Sequence, residues 1–326
     1  MRVAVTGGAG YIGTLASREL LAAGHEVRAL DLLLHGQTQL ADELESEGVE
    51  LIRGDVRDPE ARSRLLDGAE ALVHLAAIVG DPAVAADPQK ADEINVGATR
   101  ALLHDAVDAG TNRIVFASTC SNYGRMADPE IPIDETAELA PVSLYAEQKV
   151  AVERGLLEGD HGMEAVCLRL ATIYGSAPRM RFDLTVNEFT RDLWSGRTLE
   201  VFGEQFWRPY VHVQDAATAI RTVVDAPAED VDGEVYNVGH SDENYRKLDL
   251  VELITSALGR GDVTYVRRDE DPRDYKVSFE KIRQRLGFTP EMDVPGGIRE
   301  IIEGLESGRF GDPFDGAWSN LGRTIP

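Results

Sequence analysis

Short apolar, β-branched runs alternate with stretches of helical periodicity through the first half of the chain. The runs at residues 3–6, 27–30, 50–53, 71–75 and 113–117 predict strands. Apolar positions recur at helical spacing over residues 11–23, 37–47, 59–66 and 89–109, which predicts a helix after each of the first four strands. Strands separated by helices pair in parallel, so the pattern predicts an α/β fold with a doubly wound parallel sheet. A strong helix at 144–157 and a strand at 165–170 continue it. From Ser176 the pattern loosens into a Pro/Arg-rich loop, a helix at 184–194, and strands at 199–202 and 208–213. A helix at 215–224 and a strand at 234–238 read as returning to the main sheet. Helices at 248–258, 279–286 and 297–305 and a loop-like tail from Gly308 complete the chain. The expected division is a first domain over 1–175, with 208–240 returning to it, and a smaller C-terminal substrate-binding region over 176–207 and 241–326.

The loop between the first strand and the first helix reads TGGAGYIG, residues 6–13. Gly7 permits a sharp turn out of the strand, Gly10 permits backbone N–H groups to approach a pyrophosphate, and Gly13 permits close packing of helix on sheet. The phosphates then rest at the positive end of that helix. Tyr11 and Ile12 lie inside the same loop. Asp31 ends the second strand about twenty residues beyond the glycines, where a carboxylate accepts both hydroxyls of an adenosine ribose. It would repel a ribose phosphate, and residues 32–36 (LLLHG) hold no Arg to attract one, so the cofactor expected is NAD rather than NADP. This is the dinucleotide-binding, Rossmann arrangement.

Charge narrows the partners. Lys+Arg 33 against Asp+Glu 57 leaves a net charge of −24, which repels nucleic acid and anionic membranes. Five of the basic residues are Lys, and the acidic excess is spread along the chain. Two readings stay open, a surface adapted to high salt and an ordinary acidic enzyme. Met1 to Val3 lead straight into the first strand and no apolar run approaches a membrane span, so a cytoplasmic protein is expected. Cys120 and Cys167 are too few for a disulfide framework or a metal site.

Tyr145 and Lys149 lie four apart in a helical pattern, on one face about one turn apart. Tyr145 is the only Tyr with Lys at that offset. An ammonium beside a phenol favours the phenolate, so the pair predicts a base with a lowered pKa. A surface pair on an amphipathic helix is the competing reading.

With these motifs the chain resembles the extended short-chain dehydrogenase/reductase family, the nucleotide-sugar epimerases and dehydratases. The likeness runs through TGGAGYIG, Asp55-Val56, HLAA (74–77), Asn95-Val96, STCSNYG (118–124), Tyr145/Lys149, RLATIYG (169–175), RPYVHVQD (208–215) and YNVG (236–239). It implies that Asp55 and Val56 hold the adenine, Ala76 and Ala77 line the cofactor channel, and Asn95 belongs to the cofactor site. It also implies that Thr119 shares a substrate hydroxyl with Tyr145 and that Lys149 binds the nicotinamide ribose. Asp55 could instead cap the helix at Pro59, and His74 reads as a packed strand-end residue. In the family's dehydratases an acidic pair follows the active-site Thr. Here Cys120 and Ser121 stand there, and Cys120 reads either as a thiol acid or as a small buried side chain. Thr172, Ser176, Pro209 and Gln214 also depart from frequent family residues, which bears on the sugar bound. A nucleotide-sugar diphosphate calls for local positive charge. Arg208 and Arg273 match family positions for it, and Arg179 and Arg181 are placed by their loop; ordinary ion pairs are the alternative for each.

The reading is an NAD-dependent nucleotide-sugar epimerase working through a transient keto-sugar. A dehydratase using Cys120, a decarboxylase, and a catalytically silent NAD-binding protein are the alternatives. A homodimer through the helices carrying residues 95–109 and 145–157 is expected from the resemblance, although core packing would also explain their apolar stripe (Val150, Leu156, Leu157).

Overall fold

Seven strands of the chain lie side by side in parallel. The computed structural model describes residues 1–126, 128–159, 161–266 and 273–322. In chain order its strands are β1 (Arg2–Thr6), β2 (Glu26–Asp31), β3 (Glu50–Arg53), β4 (Ala71–His74), β5 (Arg113–Thr119), β6 (Glu164–Leu170), β7 (Thr172–Tyr174), β8 (Leu199–Phe202), β9 (Trp207–His212), β10 (Glu234–Val238), β11 (Asn244–Arg246) and β12 (Val263–Val266). The large sheet has the order β10-β6-β5-β4-β1-β2-β3. Its central runs are mostly apolar because helices cover both faces, while the edge strand β3 keeps Glu50 and Arg53 exposed. Val3 and Val5 enter one core while Ala4, between them, enters the core on the opposite face.

The strand order reverses between β1 and β4, which opens a crevice at the carboxyl ends of the strands. β10 pairs with β6 at one edge, and helix Val213–Asp225 packs on helix Gly13–Ala22, so this stretch does return to the large sheet. β9 does not. It pairs with β7 and β11 in a separate three-stranded sheet, and β8 pairs with β12. A third core, including Tyr174, Phe182, Val186, Ile254 and Ile298, lies under this smaller region.

The segment 89–109, read as one helix, is interrupted. Helices Pro88–Asp92 and Thr99–Asp108 flank a π-helical turn, Glu93–Ala98. Among the described residues no helix is long and apolar enough to cross a membrane.

Candidate active site

A cavity of about 480 Å³ runs along the carboxyl ends of the large sheet. The glycine loop forms its floor. Gly7 has φ 72°, and a Cβ there would come within 3.0 Å of the Ala76 backbone nitrogen. A Cβ on Gly13 would overlap the Gly7 carbonyl oxygen, so helix Gly13–Ala22 can begin directly against the turn only with glycine there. That helix has no side-chain cap, and although Thr14 N is bonded to Gly10 O at 3.1 Å, its positive end faces the cavity, where an anionic ligand is favoured. Asp31 accepts from Ala9 N at 3.0 Å and Leu33 N at 2.8 Å, one bond per carboxylate oxygen, so lone pairs remain for ribose hydroxyls. Burial pushes its carboxyl above the usual range, against the two backbone bonds and the positive charge of Arg179. Asp55 and Val56 line the cavity beyond it. Asp55 accepts from Arg57 N at 2.8 Å and pairs with the Arg57 guanidinium, which holds its carboxyl below the usual range. The cap of helix Pro59–Leu66 is Asp58, not Asp55. Helix-terminal donors, spare ribose acceptors and glycine-cleared space together fit a dinucleotide.

The other end of the cavity carries the reactive groups. Thr119 ends β5 and caps the short 3-10 turn Cys120–Tyr123, its Oγ1 accepting from Ser121 N at 3.1 Å. Its hydroxyl proton is thereby left to donate. Helix Leu144–Glu158 presents Tyr145 and Lys149. Its cap, Ser143, donates to Asp81 at 2.7 Å, and Asp81 also holds Arg273 at 2.8 Å. Lys149 Nζ donates to Ala117 O at 2.7 Å and lies 4.7 Å from the Phe116 ring centroid and 5.9 Å from that of Tyr145. Burial lowers the Lys149 pKa to about 8.

The structure corrects the expected origin of base strength. Burial raises the Tyr145 phenol above its ordinary value, and the positive charge that opposes this is Arg181. Lys149 points its ammonium at a backbone carbonyl instead, so the Tyr-Lys spacing alone does not produce a phenolate in the cofactor-free protein.

Cys120 and Ser121 both border the cavity. The Cys120 thiol, 1 % exposed, donates to Arg169 O, and burial pushes it well above the ordinary thiol range. It is a packed neutral side chain. Ser121 shares a hydrogen bond with Tyr275, a cavity residue that no sequence motif marked. His74 is likewise structural, bonded to Thr6 at 2.7 Å and Thr99 at 2.8 Å, and burial lowers its pKa to about 3.

Thr172, Arg179 and Arg273 line the cavity with Arg181. The charge of Arg179 reaches Asp31, and its Nη2 donates to Ser319 O at 3.5 Å, which puts this residue beside the ribose carboxylate rather than at the reactive end. Arg181 is paired with Asp183 at 2.6 Å. Its carbonyl accepts from Asn187 Nδ2 at 2.9 Å, and the same amide donates to Tyr11 Oη at 3.1 Å. Tyr11 in turn donates to Gly175 O at 2.6 Å. Two expected residues do not line the cavity. Asn95 is buried behind the wall, bonding both the N–H and the C=O of Ile78 and donating to Gln148, the neighbour of Lys149. Arg208 lies behind Tyr275, its guanidinium 5.7 Å from that ring. Neither depth follows from a local motif.

A family model described as the NAD-dependent epimerase/dehydratase family matches residues 3–239. The chain is 30% identical to a UDP-glucose 4-epimerase of Lacticaseibacillus casei, over 93% of this chain and 95% of that protein. It is also 30% identical to a dTDP-glucose 4,6-dehydratase of Streptomyces niveus, over 95% of this chain and 94% of that one. The crystal structure of the Thermus thermophilus UDP-glucose 4-epimerase in complex with NAD superimposes with a TM-score of 0.81 at 28% identity, covering 94% of this chain and 99% of the other. With its glycine loop, ribose carboxylate and Thr-Tyr-Lys group brought to one cavity, this chain belongs to the NAD-dependent epimerase/dehydratase family, and its cofactor is NAD.

Proposed function

We propose that the protein is a nucleotide-sugar epimerase that inverts one carbon of its substrate through a transient keto-sugar. The observation that carries this reading is that, among the described residues, no carboxylate lines the reactive end of the cavity. Asp31 and Asp55 are the carboxylates lining the cavity among the described residues, and both belong to its adenosine half. Elimination of water needs a proton donor for the departing hydroxyl, and the thiol of Cys120 is a poor one, its proton held by Arg169 O and its pKa raised by burial. When bound, NAD supplies a hydride acceptor and a positive charge beside the phenol. Thr119 donates its hydroxyl proton to the sugar oxygen and orients it. Tyr145 takes the proton of that hydroxyl as the carbon is oxidised and returns it after the sugar has presented its other face. Lys149, an ammonium below about pH 8, anchors the cofactor ribose, and Arg181 supplies the side-chain positive charge that acts on the phenol. Arg179, Arg181 and Arg273 supply positive charge for phosphates in a molecule of net charge −24. In this division of labour the first domain, 1–175 with 208–240, carries most of the NAD site, and the described part of the C-terminal region, through Arg181 and Arg273, faces the substrate.

The test is incubation with a panel of nucleotide sugars, read by product mass and proton NMR. Unchanged mass with altered ring couplings is expected. Loss of water or of carbon dioxide would replace the epimerase with a lyase. Tyr145→Phe should lower turnover by at least about 10²-fold while NAD remains bound; a fully active variant removes Tyr145 from its role.

We further propose a cytoplasmic homodimer. The free, buried thiols of Cys120 and Cys167 suit a reducing compartment. Val150 and Leu156 are buried in the cores, so the apolar stripe is explained without a partner. Exposed Val107 and Leu144, on the two helices expected at the interface, support the dimer instead. A monomer mass by light scattering would end it.

A further inference from the structure

Helix Val294–Glu306 is followed by a segment that crosses back to the cofactor cavity. It is fastened along its length. Asp315 caps the 3-10 turn Gly316–Trp318. The Trp318 indole donates to Phe310 O at 3.0 Å and Asp312 O at 3.1 Å, its ring meets Phe310 edge-on, and its carbonyl accepts from Phe182 N at 2.7 Å. Beyond this anchor, Ser319 O accepts from Arg179, the residue whose charge reaches Asp31. Asn320, Leu321 and Gly322 then form part of the cavity wall. Asn320 Oδ1 is shut off from solvent with no hydrogen-bond partner among the described residues, and Leu321 is 47 % exposed although it borders the cavity. A buried acceptor without a donor costs stability unless a ligand supplies one. An exposed Leu at a cavity rim offers apolar cover.

We propose that residues 319–322 are a strap belonging to the NAD site, in which Asn320 Oδ1 accepts a hydrogen bond from a hydroxyl or amino group of the adenosine half and Leu321 covers it. The Ser319–Arg179 bond sets the strap beside the ribose carboxylate, so it acts on the adenosine half rather than on the nicotinamide. Epimerisation returns its electrons to the same sugar molecule. The cofactor therefore has no need to leave between turnovers, and a fastened cover suits that economy.

The experiment is the dissociation rate of NAD from the full-length protein and its Asn320→Ala and Leu321→Ser variants, followed by displacement of radiolabelled NAD with excess unlabelled NAD. Loss of one hydrogen bond corresponds to a rate increase of roughly 2- to 10-fold for Asn320→Ala, with a further increase in the double variant. ADP-ribose, which keeps the adenosine half and lacks only the nicotinamide, should weaken in parallel, while nicotinamide mononucleotide and UDP should not. The melting temperature of the cofactor-free Asn320→Ala variant should be no lower than that of the parent, because a buried acceptor without a donor is removed while Trp318 and its anchors are untouched. NAD and ADP-ribose binding unchanged in both variants would overturn the strap, as would a loss confined to UDP. The measurement needs no turnover, so a failed epimerase assay and a failed strap are separate results.

Discussion

In the proposed reaction Tyr145 acts as a base from a site that disfavours its charged form. Burial raises its pKa, and Arg181 is the side-chain cation that pulls it back. Removing that cation makes the phenolate less favourable, so the pH at which the phenol ionises must rise. Arg181→Met should move the acidic limb of the kcat–pH profile upward by about one unit, and Arg181→Lys should restore most of it. A profile unmoved in the Met variant would show that the pair with Asp183 serves the loop alone. Glycine and Tyr-Lys spacing marked Gly7, Gly10, Tyr11, Ile12, Gly13, Asp31, Tyr145 and Lys149, the family resemblance added Asp55, Val56, Ala76, Ala77 and Thr119, and all of them line one cavity. These residues follow strand ends, and a parallel sheet delivers strand ends to one edge. The positions of Asn95 and Arg208 were not legible, because their depth depends on Ile78, Gln148 and Tyr275, which are remote in sequence. The charge order around Tyr145 was hidden for a similar reason. Arg181 enters from a loop whose course is decided by Asn187 and Tyr11.

At the scale of elements, the helix bearing Tyr145 and Lys149 is tied to the sheet by a buried charge. Glu153, 1 % exposed, pairs with Arg169 of β6 and accepts from Ser118 of β5 at 2.6 Å and from Asn122. Arg169 also donates to Tyr123, which donates to Asn237 of β10 at 2.8 Å. One network thus joins the helix to three strands directly beneath Thr119. Glu153→Leu would leave Arg169 charged and unmatched, and should cost about 3–5 kcal/mol in urea unfolding. Adding Arg169→Met should recover part of that loss. The elements themselves were legible where they are long or buried on both faces, as with β1 to β6 and helix Pro59–Leu66. β7, β11 and β12, three or four residues each, carry too little pattern to be read. The π-helical turn was hidden differently. One wide turn barely disturbs apolar spacing over some twenty residues, yet it accommodates Asn95 in its bond with Ile78.

For the whole molecule, a net charge of −24 leaves surplus acidic groups even after many surface ion pairs form. Self-repulsion among them is weakened by salt. On the salt-adapted reading the melting temperature should rise from low to molar KCl, followed by calorimetry; a flat or falling curve leaves an ordinary acidic enzyme. One buried side chain ties the arginine loop to the glycine loop. Asn187 holds Gly175, Arg181 and the Tyr11 phenol at once, with no exposure to solvent. The glycine loop on one side and the arginine loop on the other are thereby set at a fixed gauge, like the jaws of a locked calliper. In the proposed reaction, a sugar that turns over beside Arg181 therefore works within a separation set before it arrives.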